Sequence, residues 1–329
     1  SYGKSVYAAA AGYVAKVVNS IPDNSIGDAN TIDNWGNYVS ISHGYGFYSL
    51  YAHLKEGSVK LSEGDYVKVG EKIAQVGNSG RSFVPHLHFQ AQAGAEAGSR
   101  SLYCNILNYK QACAEGGYRF VASGIPQEGE MISALIPEKD LANILQIGYG
   151  QSQTFAVKSN NGNFTEQWKT DLDLLGKHYL VSDAKAKLGF SVYHGIFNAL
   201  DLTGNRNSAL AAFAYAAGRI PWAEKQSLTW QDEPSLSVTM NKFWKNLTLF
   251  LIPFFKPIRV ESDSCLSSDG DGISLESITH LFVFGMKLRQ RRATIDLDRK
   301  HGIRSIRLFD AKGLILTATH FSSEETNNV

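Results

Sequence analysis

The stretch Pro85-His86-Leu87-His88-Phe89-Gln90 constrains this chain more than any other. Two histidines separated by one apolar residue suit an extended strand, where alternate side chains share a face. His86 and His88 are then expected on one side, Leu87 and Phe89 on the other. A proline opening the run fits a strand end, where no ladder donor is needed. Two imidazoles facing a common space can serve as a metal ligand and a neighbouring acid–base group. Paired surface histidines have the same spacing, so the motif needs support from the rest of the chain.

That support lies upstream. Tyr38–Ser42 and Phe47–His53 flank His43-Gly44-Tyr45-Gly46 and predict a β-hairpin. Tyr66–Val69 and Lys72–Val76, joined through Gly70, predict two more strands. Val6-Tyr7-Ala8 and Tyr13–Val18 around Ala11-Gly12 suggest a further hairpin. Asn19 to Trp35 is polar and reads as a surface loop, with Asp23, Asp28 and Asp33 as solvated turn residues. Short strands at this spacing make the N-terminal part mainly β, an antiparallel sheet.

Taken in order, these motifs resemble the core of the lysostaphin-type zinc endopeptidases, which cut peptide cross-links in bacterial peptidoglycan. The resemblance covers residues 3–92. It implies one Zn²⁺ held by the histidine and aspartate of an HxxxD motif together with the second histidine of HxH, here His88. It also implies that His53 and His86 flank a zinc-bound water as catalytic residues, in a site where the metal lowers the water's pKa towards about 7. His43 falls outside that pattern, at a strand end in a tight turn, and reads as structural. Ser1-Tyr2-Gly3-Lys4-Ser5-Val6-Tyr7 resembles the segment that directly follows HxxxD, and no His-x-x-x-Asp stands ahead of it. The expectation is a chain truncated before that motif, or one that has lost it, which supplies one zinc ligand of three and is inactive as it stands.

The resemblance therefore implies a zinc metalloendopeptidase acting on peptidoglycan peptides in the periplasm or outside the cell. The alternative is a non-catalytic module of the same fold that binds the wall or regulates another wall hydrolase. Retention of His53, His86 and His88 together favours the enzyme.

With 329 residues the chain has room for two domains, expected at 1–115 and 116–329. The second predicts as α+β. Its clearest element is a helix from Ala209, capped by Asn207-Ser208 and closed by Gly218; Pro137–Leu145 predicts a shorter one. Arg304–Phe309 and Leu314–Thr319 predict a closing hairpin. A net charge of +1 gives no electrostatic case for nucleic acid. The most apolar run, Leu247–Phe255, is too short to span a bilayer and contains Pro253. Cys104 and Cys113, with eight residues between them in a polar stretch, are expected to form a disulfide and leave Cys265 free. Asp269-Gly270-Asp271-Gly272 reads as a turn, Lys287–Arg292 as a solvated strand face, and Trp168, Trp222, Trp230 and Trp244 as core.

Overall fold

Glycine-punctuated alternation produces sheet almost throughout. The computed structural model describes residues 1–135, 148–193, 195–221, 227–253, 255, 257–269, 272–298 and 302–321. The chain divides into two units, Ser1–Asn105 and Ile106–Val329. The expected helix at Pro137–Leu145, Trp222 and the Gly270-Asp271 turn lie outside the described residues.

The first unit contains β1 (Ser5–Tyr7), β2 (Gly12–Val18), β3 (Asn37–Ser42), β4 (Tyr48–Leu54), β5 (Tyr66–Val67), β6 (Lys72–Gln75), β7 (His88–Gln92) and β8 (Ser101–Leu102). Six of these make one sheet in the order β5-β2-β3-β4-β7-β8, while β1 and β6 pair separately, all antiparallel. The β3–β4 hairpin forms where glycine and alternation placed it. The expected hairpin of β1 with β2 does not form, and the two strands joined through Gly70 do not pair with each other. β2 pairs with β3 and β5 instead of β1, and β6 turns away from β5 to pair with β1. Val14, Val39, Ile41, Tyr51, Leu54 and Ile73 fill the core on one face of the sheet. Leu50, Ala52 and Tyr38 pack beneath Trp35 on the other.

In the second unit the described strands form one sheet of fifteen, running from Ile132–Ala134 at one edge to Arg219–Pro221 at the other. Tyr118–Gly124 and Leu228–Asp232 are its one parallel pair among the described strands. Three helices accompany it among the described residues: α1 (Ala209–Ala216), α2 (Leu236–Thr239) and α3 (Lys242–Leu251). α1 is apolar on every side and buried at every position, as such a helix must be. Its N-terminus meets the fully buried Glu166, whose carboxylate accepts from Ala209 N at 2.6 Å, Leu210 N at 3.0 Å, Ser182 Oγ at 2.7 Å and Trp168 Nε1 at 2.8 Å. Backbone donors at a helix start stabilise a buried anion without a cation beside it. Among the described residues strands dominate this unit over the three short helices. The closing hairpin forms as Gly302–Asp310 with Gly313–His320.

Two further expectations are corrected here. All three cysteines are free. Between Cys104 and Cys113 runs the strand Ile106–Ala112, and an extended run of that length separates its ends by about 20 Å, far beyond disulfide reach. That strand also pairs with Tyr118–Gly124 and Ile132–Ala134, so residues 106–112 belong to the second unit and not to the first.

Candidate functional site

The site is assembled at the end of β4, the start of β7 and the turn Gly77–Gly80. Between the pairs Val39↔Tyr51 and Asn37↔Leu54, two steps along β3 face three along β4. This is a β-bulge, and its extra residue falls at His53, which takes φ +59°. The bulge returns Leu54 to the same core face as Tyr51 and re-aims the His53 side chain. A positive φ at a non-glycine residue is strained, and such strain collects at functional positions.

His53 is 6% exposed, and its Nδ1 lies 2.8 Å from the Ser79 carbonyl oxygen. A carbonyl only accepts, so Nδ1 carries the proton and Nε2 keeps its lone pair. Burial is the chief cause of a pKa held below the usual histidine value; the neighbouring His86 and His88 push the same way, while the Ser79 hydrogen bond opposes them.

The carbonyl of Ser79 is held in place by close packing. Gly80 has φ +76°, and a Cβ there would lie 2.3 Å from Gly36 N. Ser79 Oγ accepts from Asn37 N at 2.9 Å and donates to the Leu54 carbonyl at 2.7 Å. Asp23 also braces this turn, accepting from Asn78 N at 2.6 Å, Tyr2 Oη at 3.0 Å and Glu56 N at 3.2 Å. Asp23 is therefore a strut and not the solvated turn residue expected; three hydrogen bonds fix its carboxylate.

The HxH motif does not lie wholly in a strand. β7 starts at His88, and His86 sits in the loop before it. His86 still reaches the same place, because Nδ1 donates to the Val84 carbonyl at 2.8 Å and lies 3.0 Å from Ser82 Oγ. Its Nε2 is thus also the unprotonated nitrogen. His88 pairs across the sheet with Ala52, and its Nε2 lies 3.0 Å from Gln90 Oε1. That amide oxygen places the proton on Nε2 and leaves the lone pair on Nδ1. Gln90 Nε2 donates to Gln92 Oε1 at 2.8 Å, which fixes the amide's orientation. Trp35 meets the His88 ring edge-on at 5.0 Å between centres.

The three rings converge. His53 and His86 stand 4.8 Å apart between centres, His53 and His88 5.9 Å. His43 stays outside, with Nδ1 2.8 Å from the Ala11 carbonyl oxygen and Nε2 2.8 Å from Ser49 Oγ, both nitrogens engaged in structure.

Sequence reasoning missed Ser79, Ser82, Gln90 and Trp35. Gln90 was within reach, since two residues on from His88 it shares that strand face. The Ser79 contact had no sequence signal, because a backbone carbonyl acts there.

Whether these residues fit a zinc centre depends on the donors. Among the described residues no group of three or more His, Cys, Asp or Glu side chains is placed to hold a metal ion. His53, His86 and His88 each leave one ring nitrogen free, but they are not placed as a common set of three, and a catalytic zinc requires three protein ligands. The donor set does not by itself fit the metal.

The N-terminal unit is thus an antiparallel sheet with a strained, buried histidine facing two others. Residues 1–99 match the description Peptidase family M23. Over 71 residues it is 42% identical to an uncharacterized metalloprotease of Buchnera aphidicola, a match covering 22% of this chain and 18% of that protein. Over 62 residues it is 45% identical to the DD-carboxypeptidase/endopeptidase Mpg of Neisseria meningitidis, covering 19% and 14%. Over 55 residues it is 44% identical to the peptidoglycan DD-endopeptidase ShyA of Vibrio cholerae, covering 17% and 12%. The chain spans less than a fifth of the length of these relatives.

Proposed function

We propose that residues 1–99 are the substrate-facing part of a zinc-dependent endopeptidase that hydrolyses peptide cross-links of bacterial peptidoglycan, in the periplasm or outside the cell. The supporting observation is the convergence of His53 and His86, each with its proton fixed on Nδ1 and a lone pair left on Nε2. Two such nitrogens at 4.8 Å between ring centres suit the orientation of one water and the acceptance of its proton as it attacks a peptide carbonyl. The proton then passes to the departing amine as the C–N bond breaks. In this reading His88 would hold the metal, with Nδ1 the nitrogen left for it. The relatives' names, a metalloprotease and peptidoglycan endopeptidases, supply the substrate class and the metal dependence.

The second reading is a non-catalytic peptidase-like module that binds the wall or regulates another hydrolase. The test uses cross-linked muropeptides and mass spectrometry, with the 329-residue chain and a form given a His-x-x-x-Asp segment ahead of Ser1, both with added Zn²⁺. Ser1 Oγ donates to the Pro85 carbonyl at 2.8 Å, so residues placed before Ser1 enter beside His86. The enzyme reading expects cleavage by the extended form. If that form binds zinc and leaves every cross-link intact, the second reading stands.

A further inference from the structure

Helix α3 of the second unit presents its apolar side to solvent. Thr248 is its one fully buried residue, and Thr248 Oγ1 donates back to the Trp244 carbonyl at 2.8 Å. Phe243, Leu247 and Phe250, spaced to fall on one helical face, are all exposed, Phe243 at 69% and Phe250 at 71%. Trp244, expected in the core with Trp168 and Trp230, is half exposed and meets Phe243 edge-on at 5.5 Å.

The patch continues past the helix. Phe255 lies 6.1 Å, stacked, from Phe284 at the tip of the hairpin formed by Gly272–Val283 and Met286–Asp298. Phe284 N donates to the Pro257 carbonyl at 2.8 Å and holds that tip against the chain beyond the helix. Leu288, two residues past Met286, is exposed as well.

The stretches that carry the patch hold charge of one sign. No Asp or Glu occurs in residues 234–260 or in residues 277–295, whereas Lys242, Lys245, Lys287 and Arg289 do. Lys242, Lys287 and Arg289 make no ion pair among the described residues; Lys245 approaches Asp201 at 3.7 Å.

We propose that α3 and the Phe284 hairpin tip form a site that docks on the surface of an anionic phospholipid bilayer, with the aromatics entering the interface and the cations meeting the headgroups. An apolar stripe of Phe, Trp and Leu flanked by lysine is the composition of a helix that lies in the membrane interface. The lack of acidic residues on two adjacent elements favours a lipid surface of negative charge over a neutral one. At ten residues α3 is too short to cross a bilayer, and no helix among the described residues is long and apolar enough to do so. The docking needs neither the histidine cleft nor its proposed activity.

The test is co-sedimentation of the full chain with vesicles of phosphatidylglycerol and phosphatidylcholine, beside vesicles of phosphatidylcholine alone. Binding to the anionic vesicles that weakens with salt is expected, with a blue shift in fluorescence that Trp244→Phe removes. Phe243→Ser with Phe250→Ser should lower binding about tenfold or more, through loss of buried apolar area. Lys242→Glu with Arg289→Glu should lower binding and flatten the salt dependence. These side chains are exposed, so the unfolding midpoints of the variants should match the parent's. Equal sedimentation with both kinds of vesicle, or an unchanged affinity in the double Phe variant, overturns the proposal. So does a concentration-dependent dimer that the double Phe variant abolishes, since a second copy would then cover the face.

Discussion

Gly80→Ala tests how the site is held. At φ +76° an L-residue is strained by about 1–2 kcal/mol. The new Cβ would also lie 2.3 Å from Gly36 N and 2.8 Å from the carbonyl oxygens of Asn34 and Asp33. These are backbone atoms that cannot swing aside, and overpacking of this kind costs about 1–3 kcal/mol. The first unit should therefore lose roughly 2–5 kcal/mol. With a urea slope of about 2 kcal/mol per molar, its midpoint falls by about 1–2.5 M. Hydrogen exchange of peptides covering β3 and β4 reads that unit separately from the second. Gly64→Ala supplies the control: its φ is +94° and nothing lies within 4 Å of the added carbon, so only the conformational strain remains. If the two variants shift by equal amounts, the close packing of Gly80 on Gly36 is not what holds Ser79 under His53.

Two further outcomes follow from buried groups. The His53 pKa lies below its value in the unfolded chain, so the unfolded state binds the extra proton first. Stability of the first unit should fall as pH drops below about 6.5 and level off once the folded imidazole also titrates; His53→Phe should remove this dependence, and a midpoint flat between pH 7.5 and 5 would contradict the burial. Glu166→Gln sets an amide N–H₂ against one of the backbone donors at the start of α1, and the second unit should lose about 2–4 kcal/mol in thermal unfolding. A loss under about 0.5 kcal/mol would mean the carboxylate contributes nothing there.

The sequence made some of this visible and hid the rest for identifiable reasons. The β3–β4 hairpin was legible because alternation on both sides of His43-Gly44-Tyr45-Gly46 is local. The pairing of β1 with β6 was not, since Ser5 meets Gln75 across seventy positions and no short pattern records such a contact. The convergence of His53 with His86 and His88 was legible through the family resemblance. The device that achieves it was not, because a one-residue bulge leaves the composition of β4 unchanged. The Cys104–Cys113 pair misled because spacing alone does not say whether the intervening residues curl or extend. Trp244 misled because its size argues for a core that α3 does not enter.

Metal content and turnover, measured together on His86→Ala and His88→Ala in the form carrying a His-x-x-x-Asp segment ahead of Ser1, test the division of labour among the histidines most directly. His88→Ala should lose zinc and activity at once, its ring nitrogen being a ligand. His86→Ala should keep most of its zinc and lose about a hundredfold or more in rate, its task being the water and the substrate. Zinc lost from His86→Ala and kept by His88→Ala would reverse the roles assigned to the two rings. Tight zinc binding and full turnover by the unextended 329-residue chain would contradict the donor count on which those roles rest.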